Sequence, residues 1–513
     1  MSLRPLAVAS LLSVLACRAT LTVITLDALR LTPTQSTVAV GQGVSVTLTA
    51  LTPQQATYTD YRGTVSLVSS DPGATLPASH TFTALDGGVT TFSVTFASAG
   101  VHTVTVTDPT RNESGSTTFT VTAAKHCVEL GTPLSLTAGP GMTQDAPVKD
   151  LALTDTDRPV LAYAAPSGGS STYVYARRFN GSAWAPYGAN ELVSSVASPA
   201  VSPVLQLTSL DHPVVAWASG NPTPGVAGNS TVFLAQWDGL TWVSKGTSNN
   251  AAGVSGAVPS VTDPLVALAL EPTGAPWVAW DHDTPYEVLL RGFNGSSWVA
   301  VGGTELLKAD AFRPSLAMPT ANNHAVLAWT DNGDAGNYKI LAGHFDGVAW
   351  SLIGGTGEIS ASGPVNGDHA SVALEADGTP VVAWDAYASP STNILDVYVR
   401  RWKGTAWEEL AGSGTGRGVS QSTAGAQRPS LHADPLGNIL LAWEDLASHQ
   451  IYLRAFDGYA WQDLGGSASG SGISQGASSS AWPKVLSTHD AAPVVAWEEK
   501  TGASYTLHVC AWQ

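Results

Sequence analysis

The chain has 513 residues, 40 of them Asp or Glu and 23 Lys or Arg, for a formal net charge of −17. This acidic balance lacks the concentrated basic surface that phosphate backbones require, which excludes nucleic acid as a partner and disfavours anionic membrane surfaces. With 44% hydrophobic but only 12% charged residues, and Gly, Ser, Thr, Ala and Val in place of the Lys, Glu and Leu that helices favour, the composition is that of an all-β extracellular protein with room for more than one domain.

Residues 1–19 read as a signal peptide. Arg4 supplies the positive start, and residues 6–16 form an apolar run too short to span a bilayer. Val14-Leu15-Ala16-Cys17 resembles the bacterial lipobox, which implies lipidation of Cys17 and a place in the bacterial cell envelope or on its surface. Cleavage after Ala19, discarding Cys17, is the alternative and gives a secreted protein. No later stretch reads as a membrane helix, so a lipid anchor is the one expected membrane contact.

Residues 25–124 contain no Trp. Val44, Val46 and Leu48 alternate with Ser and Thr, as do Phe92, Val94 and Phe96, then 101–106, then Phe119 and Val121. Period-2 patterning broken by Gly, Pro and Asp turns predicts a small β-sandwich. The run from Gly63 through Ser70-Asp71-Pro72-Gly73, Phe82 and Asp86-Gly87-Gly88 to Asp108 resembles the bacterial immunoglobulin-like domains of surface proteins and adhesins. That resemblance implies a stalk or spacer. The segment has no cysteine pair, so packing alone must join its sheets.

From residue 126 to 513 one phrase recurs: Pro-Val-Leu-Ala-Tyr163, Pro-Val-Val-Ala-Trp217, Pro-Trp-Val-Ala-Trp280, Ala-Val-Leu-Ala-Trp329, Pro-Val-Val-Ala-Trp384, Ile-Leu-Leu-Ala-Trp443 and Pro-Val-Val-Ala-Trp497. A self-similar period of this length marks an array of one supersecondary unit. Residues 428–466 show the unit as four short strands, the content of a propeller blade. The middle strands are continuous apolar runs, as expected of strands covered on both faces, and the repeated Trp residues are expected to pack between blades. The turn between third and fourth strands recurs as Asn180-Gly181, Asp238-Gly239, Asn294-Gly295, Asp346-Gly347, Lys403-Gly404 and Asp457-Gly458. Read as two-residue hairpins, both positions need positive φ, so Lys403 should be mildly strained.

The apolar phrase occurs seven times but the turn only six. The last unit stops where its turn should come, and His126–Gly131 aligns with a fourth strand. The fold class is therefore all-β: an immunoglobulin-like β-sandwich followed by a seven-bladed β-propeller closed by an N-terminal strand in the last blade. Aligning Trp512 with Phe179 and Cys127 with Trp184 sets Cys127 directly across from Cys510, which predicts a disulfide.

The Asp/Asn-Gly-x-x-Trp hairpin resembles the Asp-box of sialidase-type propellers in a degenerate form without its Ser. The resemblance implies blade architecture, not the sialidase site. In a propeller, the loops entering first strands and those joining second to third strands share one face. The entering loops carry Arg313, His369, Arg428 and Trp482; the others carry Asp281, Asp283, Asp331, Asp334, Asp385, Glu444, Asp445, Glu498 and Glu499. Paired carboxylates there have the chemistry of glycoside cleavage; solvated loop acids that keep an exported protein soluble are the plainer reading. Asp281-His-Asp283 and Asp331-Asn-Gly-Asp334 could hold Ca²⁺, but neither has the spacing of a dedicated loop, and no cofactor is implied. Gly472-Ile-Ser-Gln-Gly476 fits the hydrolase nucleophile-elbow string, yet opens no helix and is set aside. The expected function is non-enzymatic binding or adhesion, with Arg313, His369, Arg428, Trp482, Asp281, Asp283, Asp385, Glu444 and Glu498 facing a glycan or protein ligand. A carbohydrate-active hydrolase or lyase using the acidic mouth is the alternative.

Overall fold

The computed structural model describes residues 25–123, 126–137, 147–166, 171–188, 191–194, 200–219, 231–250, 253–255, 265–283, 286–303, 306–332, 337–360, 364–389, 391, 394–476, 478–502 and 504–513. Residues 1–19, including Cys17, lie outside them. Among the described residues no helix is long and apolar enough to cross a membrane.

The first domain is a two-layer sandwich. One sheet pairs Ala28–Pro33, Gly43–Leu51 and Val89–Thr95; the other holds Thr37–Ala39, Glu113–Thr122, Gly100–Asp108, Thr64–Ser69 and Ser79–Thr81 in that spatial order. The alternating residues Val44, Val46, Leu48, Phe92, Val94, Phe96, Phe119 and Val121 meet in one core between the layers. Val101 departs from the expected pattern: it is 71% exposed, and Val104 and Val106 carry that strand's inward face. In place of a cysteine pair, the Tyr61 hydroxyl donates to buried Asp108 (2.7 Å), which also accepts from Arg111 (2.8 Å).

The second domain is a ring of seven antiparallel sheets, the first six with their four strands in sequence order and the seventh completed from the start of the domain. Blades 1 to 6 span residues 149–186, 200–243, 266–300, 311–352, 365–409 and 426–463; blade 7 joins Ser479–Ser487, Pro493–Thr501 and Ser504–Trp512 to strands from the start of the domain. The first strands lie side by side around the pore, and blade 7's is adjacent to blade 1's, so the circle closes. The recurring second-strand aromatics are buried: Trp217 and Trp384 at 0% exposure. Trp217 packs with Val160 and Ala162 of the preceding blade, the inter-blade duty expected of the repeat.

The outer hairpins add a second contact between blades. Each holds an aromatic pair, from Phe179–Trp184 at 5.5 Å to Phe456–Trp461 at 5.4 Å. That pair rests on the residue after the preceding fourth strand, where a Cβ on Gly131 would lie 3.1 Å from Phe179 and its φ of 72° would strain any side chain. Trp184, Trp298 and Trp461 also donate their indole N–H to carbonyls of the preceding strand end, those of Leu130, Lys245 and Leu410 (2.8–2.9 Å). Third-strand arginines do likewise deeper in: Arg291 reaches the carbonyl of Val254, and Arg400 that of Ile359 (2.6 Å each).

The hairpin turn differs from the expected type. Phe179 pairs with Trp184, not Ser182, so four residues form the loop. Asn180 Oδ1 accepts the N–H groups of Ser182 and Ala183 (3.0 Å each), an Asx cap. Only the glycine is left-handed, as at Gly181 (φ 101°) and Gly458 (φ 89°). Lys403 is consequently unstrained; it merely lacks the capping oxygen.

Closure by the N-terminal strand is present. Cys127–Glu129 pairs with the end of Ser504–Trp512, and Leu134–Thr137 with its beginning. Cys127 and Cys510 form a disulfide with Cα atoms 5.4 Å apart. The register corrects the expected geometry: Cys127 lies opposite Trp512 and Cys510 opposite Glu129. The bridge is therefore diagonal across the strand pair. His508 Nδ1 lies 3.0 Å from Glu129 of the closing strand and its Nε2 3.0 Å from Glu499, with its ring stacked on Trp497 at 5.0 Å.

Two predictions follow from this seam. The disulfide spans 383 residues, so Cys510→Ser should cost about 6 kcal/mol in the chain-entropy account, read from urea melts. Burial alone would lower the His508 pKa, but Glu129, reinforced by Glu499, holds it above the ordinary 6.5. The protonated contact therefore stabilises fully below the unfolded pKa and fades as pH rises through the folded one. Unfolding free energy should fall as pH rises above the ordinary histidine pKa of about 6.5, with that slope absent in His508→Gln.

Candidate functional site

Each first strand begins at the pore mouth, and among the described residues five of them begin with a bulge. Ser202, Arg313, His369, Arg428 and Trp482 all have φ between 50° and 54°. The register slips at each, for example between Phe312 and Ser315 and between Gln427 and Ser430. A bulge re-aims a side chain. Here it turns Arg313, His369, Arg428 and Trp482, drawn from four blades, into one pocket of about 200 Å³ at the centre of the ring. Pro147, Pro203, Pro314, Pro429 and Pro483 supply much of its apolar wall, and Lys149, Asp150 and Lys484 join the lining.

A left-handed non-glycine residue costs about 1–2 kcal/mol, and the buried acids offset it. Asp281 of blade 3 accepts the Arg313 N–H of blade 4 (2.8 Å), and Asp385 of blade 5 accepts the Arg428 N–H of blade 6 (2.8 Å). Glu498 of blade 7 accepts the Val148 N–H that leads into blade 1 (2.9 Å). A second circle of clasps lies beneath. Ser315, Ser371 and Ser430 accept the N–H groups of Val372, Leu431 and Val485 in the following blade (3.0 Å each). Asp150 does the same for Leu205 (2.8 Å) while pairing with Lys484 of blade 7 (3.3 Å).

The acids are thus not solvated. Asp281, Asp385, Glu444 and Glu498 are 2–4% exposed. They stand behind the pocket as backbone acceptors and ion-pair partners. Arg428 pairs with Glu444 (3.0 Å) and stacks on Trp482, 4.4 Å from the ring centre. His369 Nδ1 lies 2.8 Å from Asp385, and its ring meets the Trp482 edge at 5.8 Å. Arg313 pairs with Asp368, whose other oxygen accepts from Thr330 (3.0 Å). Glu499 belongs to the His508 seam. Asp445 caps its own loop through Ser448 (3.0 Å). The Asp283 side chain and Asp334 lie outside the described residues.

Burial governs the charges. It raises the Glu498 pKa and lowers that of Lys149, each against the other's attraction, and it raises Glu444 despite Arg428. Burial also opposes the Asp368 charge, but His369 and Arg313 outweigh it and hold its carboxyl below the ordinary range.

Both oxygens of Asp281 are taken by backbone N–H groups, those of Leu265 and Arg313 (2.8 Å each), which leaves them poorly placed for Ca²⁺. Among the described residues no three His, Cys, Asp or Glu are grouped to hold a metal ion. Ser474 of the elbow-like string accepts from Ile451 N–H (2.9 Å) and donates to Gln450 (2.7 Å). Ser194 and Ser420 accept in the same way from third strands (3.1 and 2.9 Å), so Ser474 is one copy of a structural repeat.

Sequence reasoning missed Lys149, Asp150 and Lys484. A signal was present: Ser202-Pro203, Arg313-Pro314, Arg428-Pro429 and Trp482-Pro483 form an x-Pro phrase opening the first strands. The residue after each proline faces the same circle.

No family model matches the chain, and no curated protein matches it. Among solved structures it is similar to an ulvan lyase of polysaccharide lyase family PL25 (TM-score 0.46, 11% identity, 75% of this chain and 96% of that one). It is also similar to an α-L-arabinofuranosidase from Fusarium graminearum (TM-score 0.40, 11% identity, 75% and 98%) and to a Hadza microbial sialidase (TM-score 0.34, 13% identity, 82% and 76%). The fold assignment rests on the sheet order described above.

The clip role makes a direct prediction. Asp385→Ala removes the acceptor for the Arg428 N–H and for His369, and should destabilise the protein by about 2–4 kcal/mol in urea melts. A solvated acid would change stability by less than about 0.5 kcal/mol.

Proposed function

We propose that the protein is an exported, non-enzymatic binding protein whose pore-mouth pocket receives a glycan or protein ligand. Arg313, His369, Arg428 and Trp482 make the contacts. The observation that carries this reading is the engagement of the surrounding acids: Asp281, Asp385 and Glu498 hold backbone N–H groups, and Glu444 holds Arg428. A glycosidase needs two carboxyl groups poised across open space, whereas these stand behind a wall of cations, Trp and Pro. Sheets fix the wall in advance, so a ligand loses little affinity to ordering it.

The placement of the first domain supports presentation. Ser45 donates to the Asp457 carbonyl (3.1 Å), Ser93 to its carboxylate (3.3 Å), and Gln462 to Ser93 (3.1 Å). Asp457 ends a third strand that runs from the mouth to the opposite face, so the sandwich docks on the side away from the pocket. In this reading the sandwich is an immunoglobulin-like spacer, Cys17 carries the lipid anchor, and the pocket faces outward from the cell.

The second reading, a carbohydrate-active hydrolase or lyase, is favoured by one observation: burial raises the carboxyls of Glu498 and Glu444, as a general acid requires. Glycan-array binding paired with turnover of fluorogenic glycosides and polysaccharides separates the two. We expect binding that is lost in the Arg313→Ala, Trp482→Ala double variant, and no turnover above background. Turnover abolished by Glu498→Gln would replace this reading with the enzymatic one.

A further inference from the structure

We infer that the pore-mouth pocket is an anion site, and that the group it takes is the carboxylate or sulfate of an acidic saccharide. The inference rests on the binding reading above and specifies its ligand. The chain as a whole is strongly acidic, with a formal charge of −17, yet among the described residues the charged groups lining this cavity are Lys149, Arg313, Arg428 and Lys484 with the acid Asp150. Lys149 is buried with its ammonium on the Trp482 carbonyl and Arg428 is paired with Glu444, so Arg313 and Lys484 are the cations left to meet an anion. That reversal is local and built by position, since each cation comes from a first strand at the mouth and the acidic partners of Arg313 and Arg428, Asp368 and Glu444, lie outside the lining.

The one lining carboxylate is already engaged. Asp150 Oδ1 accepts from Leu151 N–H (2.9 Å) and meets Lys484 (3.3 Å), while Oδ2 accepts from Leu205 N–H (2.8 Å). An entering group therefore meets donors. Among the described residues Arg313 bonds Asp368 through Nη1 and lies over the Phe312 ring, and its five-donor fork has donors beyond that bond at the cavity wall. Lys484 is 35% exposed and Arg313 27%, enough for access from solvent.

The remaining wall suits a sugar ring. Five prolines and Trp482 give apolar surface beside the donors, the mixed surface that a pyranose with one face of C–H groups and an edge of hydroxyls matches. A cavity of about 200 Å³ admits one such ring and excludes a folded loop. The Trp482 indole is held in place by Arg428 on its face and His369 at its edge, so the platform is rigid before a ligand arrives.

The test is calorimetric titration of the full chain with oligogalacturonate, with a sulfated galactan oligosaccharide, with neutral dextran oligosaccharide and with a poly-glutamate peptide. We expect one or both acidic saccharides to bind, with affinity falling as salt rises, and neutral dextran and the peptide not to bind. Which acidic saccharide binds tells carboxylate from sulfate. Arg313→Gln and, separately, Lys484→Gln should each weaken binding about tenfold, the loss of one charge-assisted contact. Arg313→Lys should retain more affinity than Arg313→Gln, and Leu240→Ser on the opposite face should bind as the parent does. Thermal melts identify any variant that fails to fold, and the other then decides. Equal binding of neutral and acidic saccharides, or acidic binding untouched by both charge removals, overturns the anion site and leaves the binding reading standing. Peptide binding without saccharide binding overturns the saccharide assignment. Binding of nothing in this panel, with turnover of a polysaccharide, overturns both.

Discussion

Closing seven twisted sheets into a ring leaves the innermost strands facing a pore with no neighbouring strand to accept their N–H groups. A buried donor without a partner costs about 1–3 kcal/mol, so the ring requires acceptors from somewhere else. This chain takes them from side chains of the adjacent blade: hydroxyls at Ser315, Ser371 and Ser430, and carboxylates at Asp150, Asp281, Asp385 and Glu498. Every such bond is also a bond between blades. The same groups therefore satisfy the pore, hold the strained residues at the mouth and keep the circle from opening.

This explains why residues at the mouth are charged in a protein with so few charges. The acids are fixed by backbone duties and are buried. Buried carboxylates then need cations, and Arg428 and Arg313 fill that role beside Glu444 and Asp368. What reaches solvent is the outer side of those cations. The pocket's character follows from the architecture of closure, which any recognition of a ligand then exploits.

Much of the fold was legible in the sequence because its signals are local. The apolar phrase ending in Tyr163 or Trp217 reports burial on both faces within five residues, and the missing seventh turn located the closing strand. The turn itself misled. Asn-Gly reads equally as a two-residue hairpin or as an Asx-capped loop, and the choice depends on which oxygen the Ser182 and Ala183 N–H groups find. That error shifted the expected register at Cys127 by two residues without disturbing the pairing of the cysteines. For the site, Arg313, His369, Arg428 and Trp482 were identified by their place in the repeat. The burial of Asp281 and Asp385 was not legible, because each also accepts a backbone N–H from the next blade, more than 30 residues away in sequence. Lys149 and Lys484 were missed because they sit inside strands, where a Lys reads as an outward-facing residue.

The diagonal bridge between Cys127 and Cys510 has a mechanical meaning. Tension carried along the chain from the sandwich into the ring arrives at the strand that begins at Cys127. Hydrogen bonds alone would let that strand peel away one pair at a time, unzipping blade 7 and then the whole circle. The covalent link lies at the first residue of the strand and ties it to the opposite end of the same domain. A pull along this strand is therefore borne by a sulfur–sulfur bond before it reaches the sheet of blade 7.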